Sequence, residues 1–166
     1  SALRRHQDIL KSHIKLWLTD SVILERILHS GLESFTQITK DEIIEESKVY
    51  VRNPSYDDAF SILDSKNTLV ISGPPGIGKT TLAKMVCYQY LKDGWNFYAI
   101  NSLEQGYAKV NENKKTIFFF DDFLGKIELN RKALISNESA LATFVKRIQK
   151  SESSKFILTT RSHIFE

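Results

Sequence analysis

One stretch constrains this chain more than any other: Gly73-Pro74-Pro75-Gly76-Ile77-Gly78-Lys79-Thr80-Thr81. It follows the apolar run Leu69–Ser72 and leads into a helical pattern that starts at Leu82. A strand, a glycine-rich loop and a helix, with G-x-x-x-x-G-K-[ST] at the junction, form the Walker A pattern of a phosphate-binding loop. A plain surface turn would not require lysine and threonine at these positions. The dinucleotide-binding fingerprint is excluded because its third glycine is Thr81 here.

The residue types of this loop suit a nucleoside triphosphate. Glycines let the backbone take positive φ and approach a ligand closely, so that successive N–H groups can form a nest for an anion. The N-terminus of the following helix adds partial positive charge. We expect Lys79 to contact the β- and γ-phosphates, the Thr80 hydroxyl to bind Mg²⁺ and Thr81 to hydrogen-bond the α-phosphate. The sequence therefore predicts nucleotide binding by residues 73–81.

A second feature is the pair Asp121-Asp122, which follows the apolar run Thr116–Phe120. Such a run predicts a strand buried on both faces, and open parallel sheets bind ligands at the carboxyl ends of their strands. We expect Asp121 to hold Mg²⁺, as in a Walker B motif, and Asp122 to orient or deprotonate the attacking water. The alternative is a helix N-cap with a surface charge. Many P-loop ATPases carry glutamate at the second position, so the shorter Asp122 favours slow hydrolysis.

A third feature is Thr159-Thr160-Arg161, at the end of a strand predicted over 155–160. A threonine here could hydrogen-bond the γ-phosphate or the lytic water, and Arg161 could pair with the γ-phosphate and report its loss. A structural salt bridge is the alternative role for Arg161.

The segment just before the first strand is a candidate for covering the adenine. Tyr50, Val51 and Arg52 lie there in an extended stretch, because a residue that precedes a proline avoids the α region. Nothing in their spacing encodes base recognition, so a connector that only packs is the alternative.

The order of elements predicts the fold. Strands and helices alternate over residues 49–166, which predicts a three-layer α/β/α P-loop NTPase core with a mainly parallel sheet. Asn137 is predicted to cap the last helix of this core. Such a sheet usually has a fifth strand, so we expect the chain to be part of a longer protein, truncated after its fourth core strand.

Residues 1–48 are predicted to be a helical lead-in that takes no part in nucleotide binding. Apolar spacing predicts helices over 3–18 and Val22–His29. Ser30-Gly31 predicts the end of the second helix, and Thr39 with Glu42 predicts a capping box that starts a third.

Composition sets broad bounds on the function. The chain is 42% hydrophobic and 26% charged, as in ordinary globular proteins. It has neither an apolar run of membrane-spanning length nor a signal-peptide pattern, and its single cysteine, Cys87, excludes an internal disulfide. We therefore expect a cytoplasmic protein with no membrane partner. The net charge of +3 neither requires nor excludes nucleic acid.

These motifs carry a family resemblance. GPPGIGKTTLA (73–83), IFFFDD (117–122) and FILTTR (156–161) resemble the STAND NTPases, the signal-transducing switch branch of the P-loop ATPases. More narrowly, residues 50–83 resemble the novel-STAND type-three domain of prokaryotic proteins, which is often fused to a restriction-endonuclease-like domain. Residues 5–31 are similar to the linker that follows the nuclease in such fusions.

The resemblance implies an ATP-dependent switch with Mg²⁺, in which Lys79, Thr80, Asp121, Asp122 and Arg161 take the roles given above. It also implies a defence or signalling protein, self-association of the full-length chain, and nucleic acid only through a domain outside this sequence. Two other functions stay open. One is an AAA+-like ATPase or helicase loader acting on DNA, and the other is a nucleotide-binding scaffold with an inactive site.

Overall fold

The computed structural model describes residues 30–123 and 131–161, and for residues 131–136 it describes the backbone alone. The helices predicted over 3–18 and Val22–His29 lie outside the described residues. The chain divides into two compact units between Ser34 and Phe35. In the first unit the described residues, 30–34, are helical. The sheet and the helices from Pro54 onward lie in the second unit.

The helices and strands of the described chain alternate as predicted. Helix α1 covers residues 30–47. The elements that follow it are α2 (Pro54–Lys66), β1 (Thr68–Ser72), α3 (Lys79–Lys92), β2 (Asn96–Ala99), α4 (Leu103–Lys109), β3 (Thr116–Phe120), α5 (Arg131–Gln149) and β4 (Ser154–Thr160).

The four strands form one parallel sheet in the order β1-β4-β3-β2. Strand β4 therefore lies between β1, which leads into the glycine-rich loop, and β3, which leads into the acidic pair. The register pairs Ser72 with Thr160 and Phe120 with Leu158. The carboxyl ends of all three strands thus meet at one edge of the sheet.

Alternate residues of the sheet face two different sets of helices. Ile117, Phe119 and Ile157 share a buried cluster with residues of α1, α2 and α3. Phe118 and Phe156 face the other way, where each packs edge-on against Phe144 of α5. Because side chains alternate across a strand, the sheet is covered on both faces. The predicted three-layer α/β class with a parallel sheet is confirmed.

Three predicted helix boundaries are wrong. Ser30, Gly31 and Thr39 all lie within helix α1, which continues to residue 47. Gly31 does not take the left-handed conformation that a C-cap glycine needs, and the Thr39 hydroxyl donates to the Phe35 carbonyl one turn earlier, at 2.8 Å, instead of capping a helix. Asn137 lies inside α5, which already begins at Arg131.

Part of the predicted lead-in packs on the core. Ile43 of α1 is fully buried in the cluster with α2 and α3, and the Thr36 hydroxyl accepts a hydrogen bond of 3.1 Å from the Ala99 amide of β2. Residues 35–47 thus support the core structurally. The predicted boundary between the lead-in and the core, between residues 48 and 49, stays a prediction. Within the described ranges, no helix combines the length and the apolar character needed to cross a membrane.

Candidate nucleotide-binding site

The loop between β1 and α3 has the backbone that an anion nest requires. Gly76 (φ 80°) and Gly78 (φ 89°) both lie in the left-handed region, which residues with a Cβ rarely adopt. Helix α3 begins directly after Gly78, at Lys79. The two glycines turn the chain from the end of β1 into the helix and leave no side chain between the loop backbone and a ligand.

The N-terminus of α3 lacks the groups that normally satisfy a helix start. Its N-cap, Gly78, makes no side-chain hydrogen bond, and no acidic residue lies in its first turn. By contrast, Asn53 caps α2 and Ser102 caps α4, and each of these helices has an acid in its first turn. The first N–H groups of α3 and its partial positive charge are thus left for an external anion.

The side chain of Lys79, the first residue of α3, reaches back across the loop to the loop's first residues. Its ammonium donates to the carbonyls of Gly73 and Pro74, at 2.7 Å in both cases. These bonds hold a full positive charge against the loop, beside the helix N-terminus. The position suits contact with phosphate oxygens, although the specific contact with the β- and γ-phosphates stays a prediction.

Thr80 and Asp121 meet across two adjacent elements. The Thr80 hydroxyl donates to Oδ1 of Asp121 at 2.8 Å. Nothing local in the sequence links these residues, which come together because β4 brings the ends of β1 and β3 to the same edge.

The Thr80–Asp121 pair fits Mg²⁺. Hydroxyl and carboxylate oxygens are the hard ligands that this ion prefers, and in nucleotide sites one or two protein oxygens suffice because phosphates and waters complete the octahedron. In the part of the chain that the structure describes, no three His, Cys, Asp or Glu side chains cluster to hold a metal ion by themselves. The pair therefore suits an ion that arrives with a nucleotide.

Thr159 of β4 joins both acids. Its hydroxyl donates to Oδ1 of Asp121 at 2.6 Å and accepts from the Asp122 amide at 2.7 Å. Asp122 has φ 52°, in the left-handed region, where only one other non-glycine residue of the described chain, Asn67, is found. The chain thus bends sharply between the two acids.

Arg161 pairs with Asp122. Its guanidinium donates to Oδ2 of Asp122 at 2.7 Å. Oδ1 of Asp122 is buried and has no hydrogen-bond partner among the described residues. This is the salt bridge that the sequence offered as the alternative role for Arg161, and it connects the two groups expected to act on the γ-phosphate and the water.

A cavity of about 400 Å³ opens beside the loop. One wall comes from the loop and the start of α3, and the other comes from β1 and the segment that precedes α2. The lining residues are Tyr50, Asn53, Ser55, Ile71, Ile77, Gly78, Lys79, Thr81 and Leu82. The Tyr50 hydroxyl is buried without a partner among the described residues. Apolar walls with a few polar groups are typical of nucleotide and cofactor sites.

Val51 and Arg52 lie apart from the lining of this cavity. The Val51 side chain is 80% exposed. Arg52 forms an ion pair with Asp57 and lies over the Tyr56 ring, 4.8 Å from its centroid. Adenine contact by Val51 or Arg52 stays a prediction, for which a rearrangement of these residues would be needed.

Asn53 and Ser55 line the cavity, and the sequence did not point to either. Asn53 accepts a hydrogen bond of 3.1 Å from the Tyr56 amide and so starts α2. The Asn-Pro pair that signals this helix start was the available clue, but it does not indicate a ligand.

Lys84 joins helix α3 to helix α1. The Lys84 ammonium donates to Glu42 at 2.9 Å and to Glu46 at 2.8 Å, both on α1. Burial lowers the pKa of Lys84, but the hydrogen bonds to Glu46 and Glu42 outweigh it, so that the pKa is raised above its ordinary value. Nearby, burial raises the pKa of the Cys87 thiol. Cys87 is therefore a structural, unreactive cysteine.

Comparison with known proteins identifies a family. The sequence model described as "Novel STAND NTPase 3" matches residues 50–166. A search of curated proteins finds no match.

Two similar solved structures are those of C. elegans PCH-2 and of domain III of the Thermotoga maritima replication initiation protein DnaA. The first has 15% identity and a TM-score of 0.43, over 65% of this chain and 36% of that one. The second has 17% identity and a TM-score of 0.45, over 68% of this chain and 54% of that one. The chain thus covers about a third of the first solved chain and about half of the second, and neither likeness bears on what it binds.

Proposed function

The chain belongs to the novel STAND NTPase 3 family, and we propose that it binds ATP with Mg²⁺ at residues 73–81 and acts as a nucleotide-dependent switch. The observation that carries this proposal is the convergence of three strand ends. Lys79 and Thr80 follow β1, Asp121 and Asp122 follow β3, and Arg161 follows β4, with hydrogen bonds that run from Thr80 through Asp121 and Thr159 to Asp122.

Binding is the first part of the proposal. The uncapped N-terminus of α3 and the Lys79 ammonium supply positive charge for the phosphates. Thr80 and Asp121 would hold Mg²⁺, which would supply positive charge to neutralise the β- and γ-phosphates. The base occupies the cavity beside Tyr50. ATP is favoured over GTP because the sequence has no N-K-x-D motif for reading guanine.

Switching is the second part. Arg161 pairs with Asp122 across the ends of β4 and β3. A γ-phosphate offers Arg161 a stronger anionic partner, so ATP pulls the guanidinium away from Asp122, whereas ADP leaves the pair intact. The two nucleotides then stabilise different arrangements of the segments that follow β3 and β4.

Slow hydrolysis is the third part. Asp122 acts as the group that orients or deprotonates the attacking water once Arg161 has left it. Its short side chain and its ion pair both limit turnover, which suits a switch that must remain in the ATP state for some time. The products restore the Arg161–Asp122 pair and reset the domain.

The biological setting is also a proposal. We place the domain in a prokaryotic defence or restriction-associated signalling protein of the cytoplasm, where the ATP state favours self-association of the full-length chain. Nucleic acid would be bound through another part of that protein. If the domain were an AAA+-like motor, DNA should stimulate its ATP turnover. If it were an inactive scaffold, it should bind nucleotide without any ATP turnover.

Limited proteolysis and turnover test the switch together. The domain is incubated with Mg²⁺ and ATP, ADP or a non-hydrolysable ATP analogue, and both phosphate release and the rate of tryptic cleavage are measured. We expect slow phosphate release, the same cleavage pattern with ATP and its analogue, and a different pattern with ADP. Identical cleavage in all nucleotide states would contradict the switch. DNA added to a parallel sample tests the motor alternative.

A further inference from the structure

Thr159 lies at the centre of the site, where its hydroxyl contacts both acids. It lies on β4, between the strand that leads into the phosphate loop and the strand that leads into the acids. Phe120 pairs with Leu158 in the register of β3 and β4, so the next residues, Asp121 and Thr159, come side by side. This placement depends on strand pairing and cannot be inferred from the spacing of a motif.

The hydroxyl of Thr159 makes one hydrogen bond to each acid. It donates its one hydrogen to Asp121 at 2.6 Å and accepts the Asp122 amide at 2.7 Å, and the residue is only 1% exposed. A hydroxyl has a single donor, so none remains for a γ-phosphate oxygen while the bond to Asp121 exists. If Thr159 were the threonine of this strand end that contacts the γ-phosphate, that buried bond would have to break.

Each of the two bonds fixes a different acid. The bond to Oδ1 of Asp121 orients the carboxylate that faces Thr80, and it would persist if Thr80 turned to a metal ion. The bond from the Asp122 amide holds that residue at φ 52°, a conformation that costs energy and persists only when its surroundings enforce it. That conformation aims the Asp122 carboxylate at Arg161.

We propose that Thr159 is a positioning residue whose one hydroxyl orients the metal-facing acid Asp121 and holds the backbone of the water-facing acid Asp122 in place. The proposal rests on the nucleotide site described above and adds the residue that couples its two acids. It predicts that losing the hydroxyl weakens the response to Mg²⁺ and slows hydrolysis, while binding of the nucleotide by the loop itself is kept. Thr159→Ser keeps both hydrogen bonds and should restore both properties.

The matched control is Thr116→Val. Thr116 is a threonine of the same sheet that is also 1% exposed, and its hydroxyl donates to the Lys114 carbonyl at 3.1 Å at the opposite edge. Its loss should lower stability without changing the response to Mg²⁺. This control separates a general cost of removing a buried hydroxyl from a specific effect on the acids.

The experiment measures the thermal midpoint of the full chain with a non-hydrolysable ATP analogue across a Mg²⁺ titration, together with ATP turnover. Thr159→Val and Thr159→Ala should need about 10- to 100-fold more Mg²⁺ for half-maximal stabilisation, as expected for loss of a residue that orients a metal ligand. Their turnover is measured below the unfolding temperature of each variant. Both should retain stabilisation by the analogue without Mg²⁺. Thr159→Ser and Thr116→Val should have the Mg²⁺ midpoint and the turnover of the parent.

The outcomes distinguish this proposal from the proposed function. If the parent responds to the analogue and to Mg²⁺, and a folded Thr159→Val or Thr159→Ala variant has the parent's Mg²⁺ midpoint and turnover, the positioning role is overturned. The same holds if Thr159→Ser behaves like Thr159→Val, because the role requires only the hydroxyl. If the analogue does not change the thermal midpoint of the parent, the proposed nucleotide site is contradicted as well.

Discussion

Arg161 and Asp122 are joined by a hydrogen bond of 2.7 Å between the guanidinium and Oδ2 of the carboxylate. The Arg161 side chain is 56% exposed and that of Asp122 is 29% exposed, so the pair lies at the rim of the site and can open without disturbing the core. A surface ion pair of this kind contributes little to stability. The pair matters because it joins the proposed γ-phosphate sensor, Arg161, to the proposed general base, Asp122.

Arg161→Ala should weaken discrimination between ATP and ADP. Since Arg161 is expected to contact only the γ-phosphate, the variant should lose affinity for ATP by about tenfold and keep its affinity for ADP. Calorimetric titration of both nucleotides measures the ratio. Arg147→Ala, which removes an exposed arginine of α5, is the control. An unchanged ratio in Arg161→Ala would remove the sensor role.

Asp122→Asn should bind ATP but hydrolyse it more slowly. The amide has a similar shape but cannot accept a proton, so turnover should fall by roughly 10²- to 10⁴-fold if Asp122 is a general base. Phosphate release at saturating ATP measures the effect. Asp58→Asn, an exposed acid of α2, should leave turnover unchanged. The proposed role is wrong if Asp122→Asn matches the parent.

Tyr50→Ala should weaken binding of ATP and ADP equally, because the base and not the phosphates would lie against this ring. Stacking of a base on an aromatic side chain is worth about 1–3 kcal/mol, which corresponds to a loss of affinity of about 5- to 150-fold. Tyr50→Phe separates the ring from the buried hydroxyl. Val51→Ala, measured alongside, tests the prediction made from sequence. A larger loss for Val51→Ala would locate the base outside the cavity.

Ile43→Ala should lower the free energy of unfolding by about 2–5 kcal/mol, as is typical of a fully buried aliphatic side chain. Denaturant unfolding measures the change. Ile38→Ala, on the same helix but 56% exposed, should change stability far less. Nucleotide affinity measured well below the unfolding transition should stay at the parental value, because α1 supports the core without lining the site. Equal effects of the two substitutions would contradict the packing of α1 on α3.

Much of the fold could be predicted because its signals are local. The loop from Gly73 to Thr81 is defined by residue types at fixed spacing, and the runs before Asp121 and Arg161 are apolar enough to be strands of a covered sheet. The helix boundaries predicted at Thr39 and Asn137 were wrong because capping residues are also compatible with a helix interior. At Thr39, tertiary packing favours the longer helix, since Ile43 and Thr39 are both buried.

The fine structure of the site could not be predicted because it depends on strand pairing. The role of Thr159 follows from the register of β3 and β4, and the ion pair of Arg161 follows from the left-handed turn at Asp122. Base recognition has no fixed spacing in sequence. This is why the cavity includes Asn53 and Ser55, while Val51 and Arg52 lie apart from its lining.

The most direct test of the account is calorimetric titration of Mg-ATP into the parent and into Lys79→Ala. Lys79 supplies the only full charge that the loop residues Gly73–Thr81 carry, and losing its charge-assisted bonds should weaken binding by roughly 10- to 100-fold. Lys92→Ala, an exposed lysine at the other end of α3, should bind as the parent does. If Lys79→Ala retains the parental affinity, the nucleotide does not bind at this loop, and the proposed switch is contradicted with it.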